Sequence, residues 1–97
     1  ILKGAYSVLA TPDGVVVVLP FANPALATAG TGDVLAGCLL GLLGQGLAPF
    51  DAAVAAGFLH GAAGELVRGR IGPSGVLASD VARALPEARR VVREALP

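Results

Sequence analysis

A loop of small residues running straight into an apolar helix constrains this chain more than any other stretch: Asn23-Pro24-Ala25-Leu26-Ala27-Thr28-Ala29-Gly30-Thr31-Gly32-Asp33-Val34-Leu35-Ala36-Gly37. Gly30 and Gly32 lack Cβ atoms, so the backbone can take positive φ there and present successive N–H groups to an anion. A helix beginning near Asp33 adds its own unpaired N–H groups and the positive end of its dipole. Gly30, Thr31, Gly32 and Asp33 together form a candidate anion hole for phosphate. Asp33, held in the first helical turn and favoured there as a carboxylate, is placed to accept a proton from a hydroxyl. An anion hole beside a base is what phosphoryl transfer asks of a protein, because that reaction needs mainly positioning and charge compensation. The same residues also suit a plain turn and cap, since Asp commonly caps helices and Gly-Thr-Gly is a common turn.

The flanking segments alternate between strand and helix patterns. Residues 2–10 read as a strand, residues 11–14 (Thr-Pro-Asp-Gly) as a turn, and residues 15–19 as a second strand stopped by Pro20. The short connection makes the pair an antiparallel hairpin, and four consecutive valines predict cover on both faces. A hairpin alone has little stability, so further strands are expected upstream of Ile1. Residues 33–44 read as a helix apolar on nearly every face, ended by Gly44-Gln45-Gly46. Asp51 is the expected cap of a second helix running to Val67. His60 lies within it with no Cys, Asp or His at ligand spacing, and so reads as structural. Residues 68–75 read as a loop. A third helical stretch begins at Ser79 or Asp80, is broken or restarted by Pro86, and carries Arg89, Arg90 and Arg93 outward.

Length and composition bound the rest. The 97 residues hold one domain at most. They contain no Met and open at Ile1 in what reads as a strand, so a fragment of a larger domain is expected. Zero formal charge gives no field to attract nucleic acid or an anionic membrane, and neither is an expected partner. The Arg residues gathered between Arg70 and Arg93 are interleaved with acidic and apolar residues and read as a solvated helix face. The apolar run closes at Gln45, well short of a membrane span. Cys38 reads as a small buried side chain in a cytoplasmic protein, and the apolar helices predict a homo-oligomer.

The motif Ala-Gly-Thr-Gly-Asp before an apolar helix resembles the anion hole of the ribokinase-like superfamily. The longer string over residues 23–37 resembles, more narrowly, the NAD(P)H-hydrate dehydratases within it. The resemblance implies an α/β chain, the C-terminal portion of a three-layer α/β/α ribokinase-like fold, with residues 1–97 forming a hairpin followed by helices. The implied reaction is ADP-dependent dehydration of NADHX or NADPHX to NADH or NADPH, releasing AMP and phosphate; eukaryotic relatives use ATP. Asp33 then contacts the hydrated nicotinamide as catalytic base, while the N–H groups of Gly30, Thr31, Gly32 and Asp33 hold the migrating phosphate. A similar Lys-Gly-Ala-x-Thr segment serves the adenine nucleotide in the family, which implies that role for Lys3, Gly4, Ala5, Tyr6 and Ser7, joined by Gly32. Ser7 stands where Thr is usual and keeps the hydroxyl. Magnesium bridging the phosphates is implied, with no protein metal site. Two alternatives stand beside this reading: a kinase of the same superfamily acting on a vitamin precursor or sugar, and a non-catalytic packing or oligomerisation module.

Overall fold

The structure is a computed structural model that describes residues 1–96. Strands β1 (Val8–Ala10) and β2 (Val16–Val18) form an antiparallel hairpin in which Leu9 pairs with Val17. A single 3₁₀ turn (Pro24–Ala27) leads to helices α1 (Thr31–Gly44), α2 (Pro49–Ile71) and α3 (Ala78–Ala95). A hairpin followed by helices is the α/β arrangement that the residue patterns imply.

The first strand is shorter than its apolar pattern predicts, because residues 2–7 close on themselves. Gly4 has φ +153° and Tyr6 φ +55°, both incompatible with an extended strand. Leu2 and Val8 exchange backbone bonds of 2.8 and 2.9 Å, and the Ser7 hydroxyl bridges Gly4 N and Gly4 O at 3.3 and 3.2 Å. Nor are both hairpin faces covered within this chain. Leu9 and Leu19 are buried, Leu19 against Gly57 of α2, whereas Val16 and Val18 are exposed.

Helix boundaries also shift from expectation, for local reasons. The first helix starts at Thr31, two residues early, because Gly30 at φ +92° serves as its N-cap. It is not buried all round: Thr31 and Leu35 face inward and Leu40 is 70% exposed. The second helix starts at Pro49, whose fixed φ suits the first helical position, with Ala48 as cap in place of Asp51. It continues through residues 68–71 until Gly72 at φ +109° stops it, so only the latter part of the expected loop is a loop. The third helix starts at Ala78, with Asp80 Oδ2 accepting the Leu77 N–H at 2.8 Å. It passes through Pro86 unbroken. Proline removes one donor there, but Val81, Ala84 and Ala88 on either side are fully packed against α2, and the Arg70–Glu87 ion pair spans the same contact. Arg89, Arg90 and Arg93 point to solvent. Burying Val81 completely contributes about 1.5–3 kcal/mol.

What positions the turn before α1 is the closeness of α2. Gly57, Gly61 and Gly64 recur along one face at helical spacing. An added Cβ on Gly57 would meet Leu19 Cδ1 at 2.5 Å, one on Gly61 would enter the Phe21 ring, and one on Gly64 would meet Leu26 Cδ2 at 2.6 Å. These three glycines let the hairpin exit and the 3₁₀ turn lie directly on the helix backbone.

Candidate active site: a glycine turn, a lysine and a buried histidine

The 3₁₀ turn is fixed by Asn23, whose Oδ1 accepts the Ala25 N–H at 3.0 Å, with Pro24 at its first position. Thr31 is 4% exposed, and its Oγ1 lies 2.6 Å from Leu26 O and 2.9 Å from Thr28 O, so its single proton is shared between two carbonyls of the preceding loop. Its side chain therefore anchors the turn and does not face a ligand.

The four backbone N–H groups of the expected anion hole fall into two kinds. Thr31 N donates to Thr28 O at 3.3 Å, and Asp33 N to Gly30 O at 3.1 Å, in tight helix-start bonds. The N–H groups of Gly30 and Gly32 meet no acceptor among the described residues. Alternate amides are thus available to an incoming anion. Asp33 is exposed in the first turn of α1, with no hydrogen bond or ion pair among the described residues.

The structure brings the two motif stretches together. The closed loop of residues 2–8 carries Lys3 back over the turn, so that a Cβ on Gly32 would run into Lys3 Nζ and lie 3.9 Å from its Cε. An ammonium group beside Gly32, at a helix N-terminus with two unpaired amides, suits an anion such as phosphate. Gly4, Ala5 and Tyr6 are exposed in the same loop, with Tyr6 N–H tied to Phe21 O at 2.7 Å; the Ser7 hydroxyl is occupied in closing it.

Beside the turn lies a cleft of about 390 Å³, lined by Lys3, Ser7, Leu19, Phe21, Asn23 and His60 among others. Gly30, Thr31, Gly32 and Asp33 stand outside its lining, so the turn sits at its margin, joined to it through Lys3 and His60. Asn23 is 8% exposed, and its Nδ2 has no partner among the described residues. The cleft and this donor left no signal in the sequence. His60, read from the sequence as structural, is 6% exposed and its Nε2 lies 2.9 Å from Thr31 O. A carbonyl only accepts, so Nε2 carries the proton.

Burial holds the His60 pKa below its ordinary value of 6.5, against an upward pull from the Thr31 carbonyl, and the Lys3 charge adds to the lowering. The folded protein therefore binds the imidazole proton less readily than the unfolded chain. Stability from this group is complete above pH 6.5 and falls as acidification passes that value toward the lower folded pKa. The thermal midpoint is expected to drop between pH 7 and about 5.5, and to drop less in His60→Gln. Equal slopes in the two proteins would assign the loss to other groups. Cys38 is a half-buried free thiol whose pKa is raised by burial. Among the described residues, no three His, Cys, Asp or Glu side chains converge as a metal cage, and no helix is long and apolar enough to cross a membrane.

Comparison with known proteins identifies the family. The family model described as NAD(P)H-hydrate dehydratase matches residues 1–87. The bifunctional NAD(P)H-hydrate repair enzyme of Moorella thermoacetica is 47% identical over 94 residues, which is 97% of this chain and 18% of that protein. The ADP-dependent (S)-NAD(P)H-hydrate dehydratase of Neisseria meningitidis is 44% identical over 87% of this chain and 29% of its own length. The crystal structure of the ADP/ATP-dependent NAD(P)H-hydrate dehydratase from Bacillus subtilis, co-crystallised with ATP/Mg2+, superposes with a TM-score of 0.87 at 39% identity, over 93% of this chain and 32% of that one. The chain thus spans a third or less of these relatives. With the matched model covering almost all of it, the chain belongs to the NAD(P)H-hydrate dehydratase family.

Proposed function

We propose that this chain is part of a nicotinamide-nucleotide repair enzyme that dehydrates NADHX or NADPHX at the expense of ADP, residues 1–97 forming one portion of a single ribokinase-like dehydratase domain. The observation that carries the proposal is the convergence of Lys3 on Gly32, beside the unpaired amides of Gly30 and Gly32 and the exposed carboxylate of Asp33. In the proposed step Asp33 takes the proton of the ring hydroxyl while that oxygen attacks the terminal phosphoryl group of ADP. The O–P bond forms as the phosphoanhydride breaks and AMP leaves. The ring C–O bond then breaks, phosphate departs with its electron pair, and loss of a neighbouring ring proton restores the double bond of the reduced nicotinamide.

Lys3 and the Gly30 and Gly32 amides compensate the charge on the migrating group, with the Thr31 and Asp33 amides fixing the turn behind them. The nucleotide also rests on Gly4, Ala5, Tyr6 and Ser7. No residue of this chain is proposed to hold magnesium; the ion would enter with the nucleotide and offset phosphate charge, and no step is routed through it. Self-association and a cytoplasmic setting belong to the same proposal, supported by the exposed Leu40 face of α1 and the free thiol of Cys38.

The intact protein supplied with NADHX and ADP is expected to release reduced nicotinamide, AMP and phosphate in equal amounts. Phosphorylation of pyridoxal, hydroxymethylpyrimidine or hydroxyethylthiazole by ATP, with no reaction on NADHX, would replace this reading by the small-molecule kinase. Absence of both reactions, with no thermal stabilisation by ADP, would leave the packing or oligomerisation module.

A further inference from the structure

The turn that offers its amides to phosphate straddles the boundary between a glycine loop and the first turn of α1. Gly30 is in the left-handed region, and Gly32 stands in the first turn of α1, its N–H ahead of the helix's own ladder. Thr31 is fixed on one side by its hydroxyl, which binds the preceding loop. On the other side, its carbonyl is bound by a residue 29 positions away, the buried His60 of α2. That carbonyl belongs to the same rigid peptide unit as the N–H of Gly32. In a trans peptide the C=O and N–H point in opposite directions, so whatever fixes the first aims the second.

We infer that His60 is the positioning residue of the anion hole: by holding the Thr31 carbonyl at 2.9 Å it directs the unpaired Gly32 N–H at the migrating phosphate. The inference rests on the phosphate-binding reading of the turn and adds the element that sets its aim. Three features of the structure converge on this role. Gly57, Gly61 and Gly64 share a face of α2 with His60 and bring that helix close enough for the ring to reach across. The bond is buried, where a hydrogen bond is stronger than in water. Burial holds the His60 pKa down, and Lys3, whose Nζ lies at Gly32, adds a smaller lowering. His60 touches neither substrate nor phosphate in this role. Its effect passes through one peptide plane.

The test uses the intact enzyme with His60→Leu, which removes the donor, and His60→Gln, which returns an N–H donor on a side chain of similar reach. Removing an oxyanion donor outright costs about 10²–10³-fold in kcat, and a misdirected one costs less. His60→Leu is therefore expected to lower kcat by about 10–100-fold with KM for the nicotinamide hydrate within about threefold of the parent, and His60→Gln to recover most of that loss. A folded His60→Leu protein with parental kcat, or a His60→Gln protein as impaired as His60→Leu, overturns the inference. Should His60→Leu not fold, the imidazole nitrogen spectrum of the parent decides. A neutral ring protonated on Nε2, whose signal moves when inorganic phosphate binds, supports the positioning role, and an Nδ1-protonated ring overturns it. A parent protein that releases no phosphate from ADP and NADHX defeats the underlying functional reading instead, an outcome separate from any difference among the variants.

Discussion

Asp33→Asn is expected to lower turnover by about 10²–10⁴-fold while ADP binds nearly as before, the loss typical when a positioned proton acceptor is removed. The substitution keeps the size and shape of the side chain, and the amide oxygen cannot take the proton. Asp33 is exposed and makes no hydrogen bond or ion pair among the described residues, so the fold does not depend on its charge. Only its favourable place at the positive end of α1 is lost, costing less than about 1 kcal/mol. Phosphate release measured alongside calorimetric titration with ADP separates the two effects. Turnover held within a few-fold of the parent would take the role of base away from Asp33, and an equal loss of ADP affinity would make it a binding residue.

Gly61→Ala is expected to destabilise the protein by about 1–3 kcal/mol, the usual cost of overfilling a packed contact. In an unconstrained helix the same change would stabilise by about 1 kcal/mol, because glycine is the weaker helix former. The sign turns on Phe21, whose ring atoms Cγ and Cε2 lie 2.5 Å from the new methyl position. Phe21 is held edge-on against Phe58 with ring centroids 5.2 Å apart, so swinging it clear into the cleft breaks that contact. Gly69, in the same helix with nothing within 4 Å of an added Cβ, provides the contrast: Gly69→Ala is expected to be neutral or stabilising. Denaturant unfolding of both variants checks the pair. A stabilised Gly61→Ala would mean that the seam between α2 and the hairpin yields without strain.

The parts of this molecule legible in its sequence are those set by local chemistry. The hairpin turn at residues 11–14, the entry of a glycine loop into α1, and the solvent face of α3 each follow from neighbouring residues alone. Tertiary closeness set the rest. Residues 2–7 are apolar enough to look like strand, but Gly4 and Tyr6 turn the chain back so that Lys3 can reach Gly32. Pro86 carries the ordinary signal for a helix break, and the packing of Val81, Ala84 and Ala88 on α2 overrides it. His60 reads as structural because nothing near it in sequence could complete a site. Its partner is a backbone carbonyl, which no residue pattern announces.

The three glycines of α2 tie two properties that are usually separable. One face of a single helix seats the hairpin through Gly57 and Gly61 and reaches the glycine turn at Thr31 through His60, so sliding or tilting α2 displaces both together. Substitutions that loosen this seam therefore cannot be sorted into damage to folding and damage to chemistry. On the proposed role of His60, tolerance to heat and accuracy of aim at the phosphate rise and fall with the same closeness of α2 to the segments it carries.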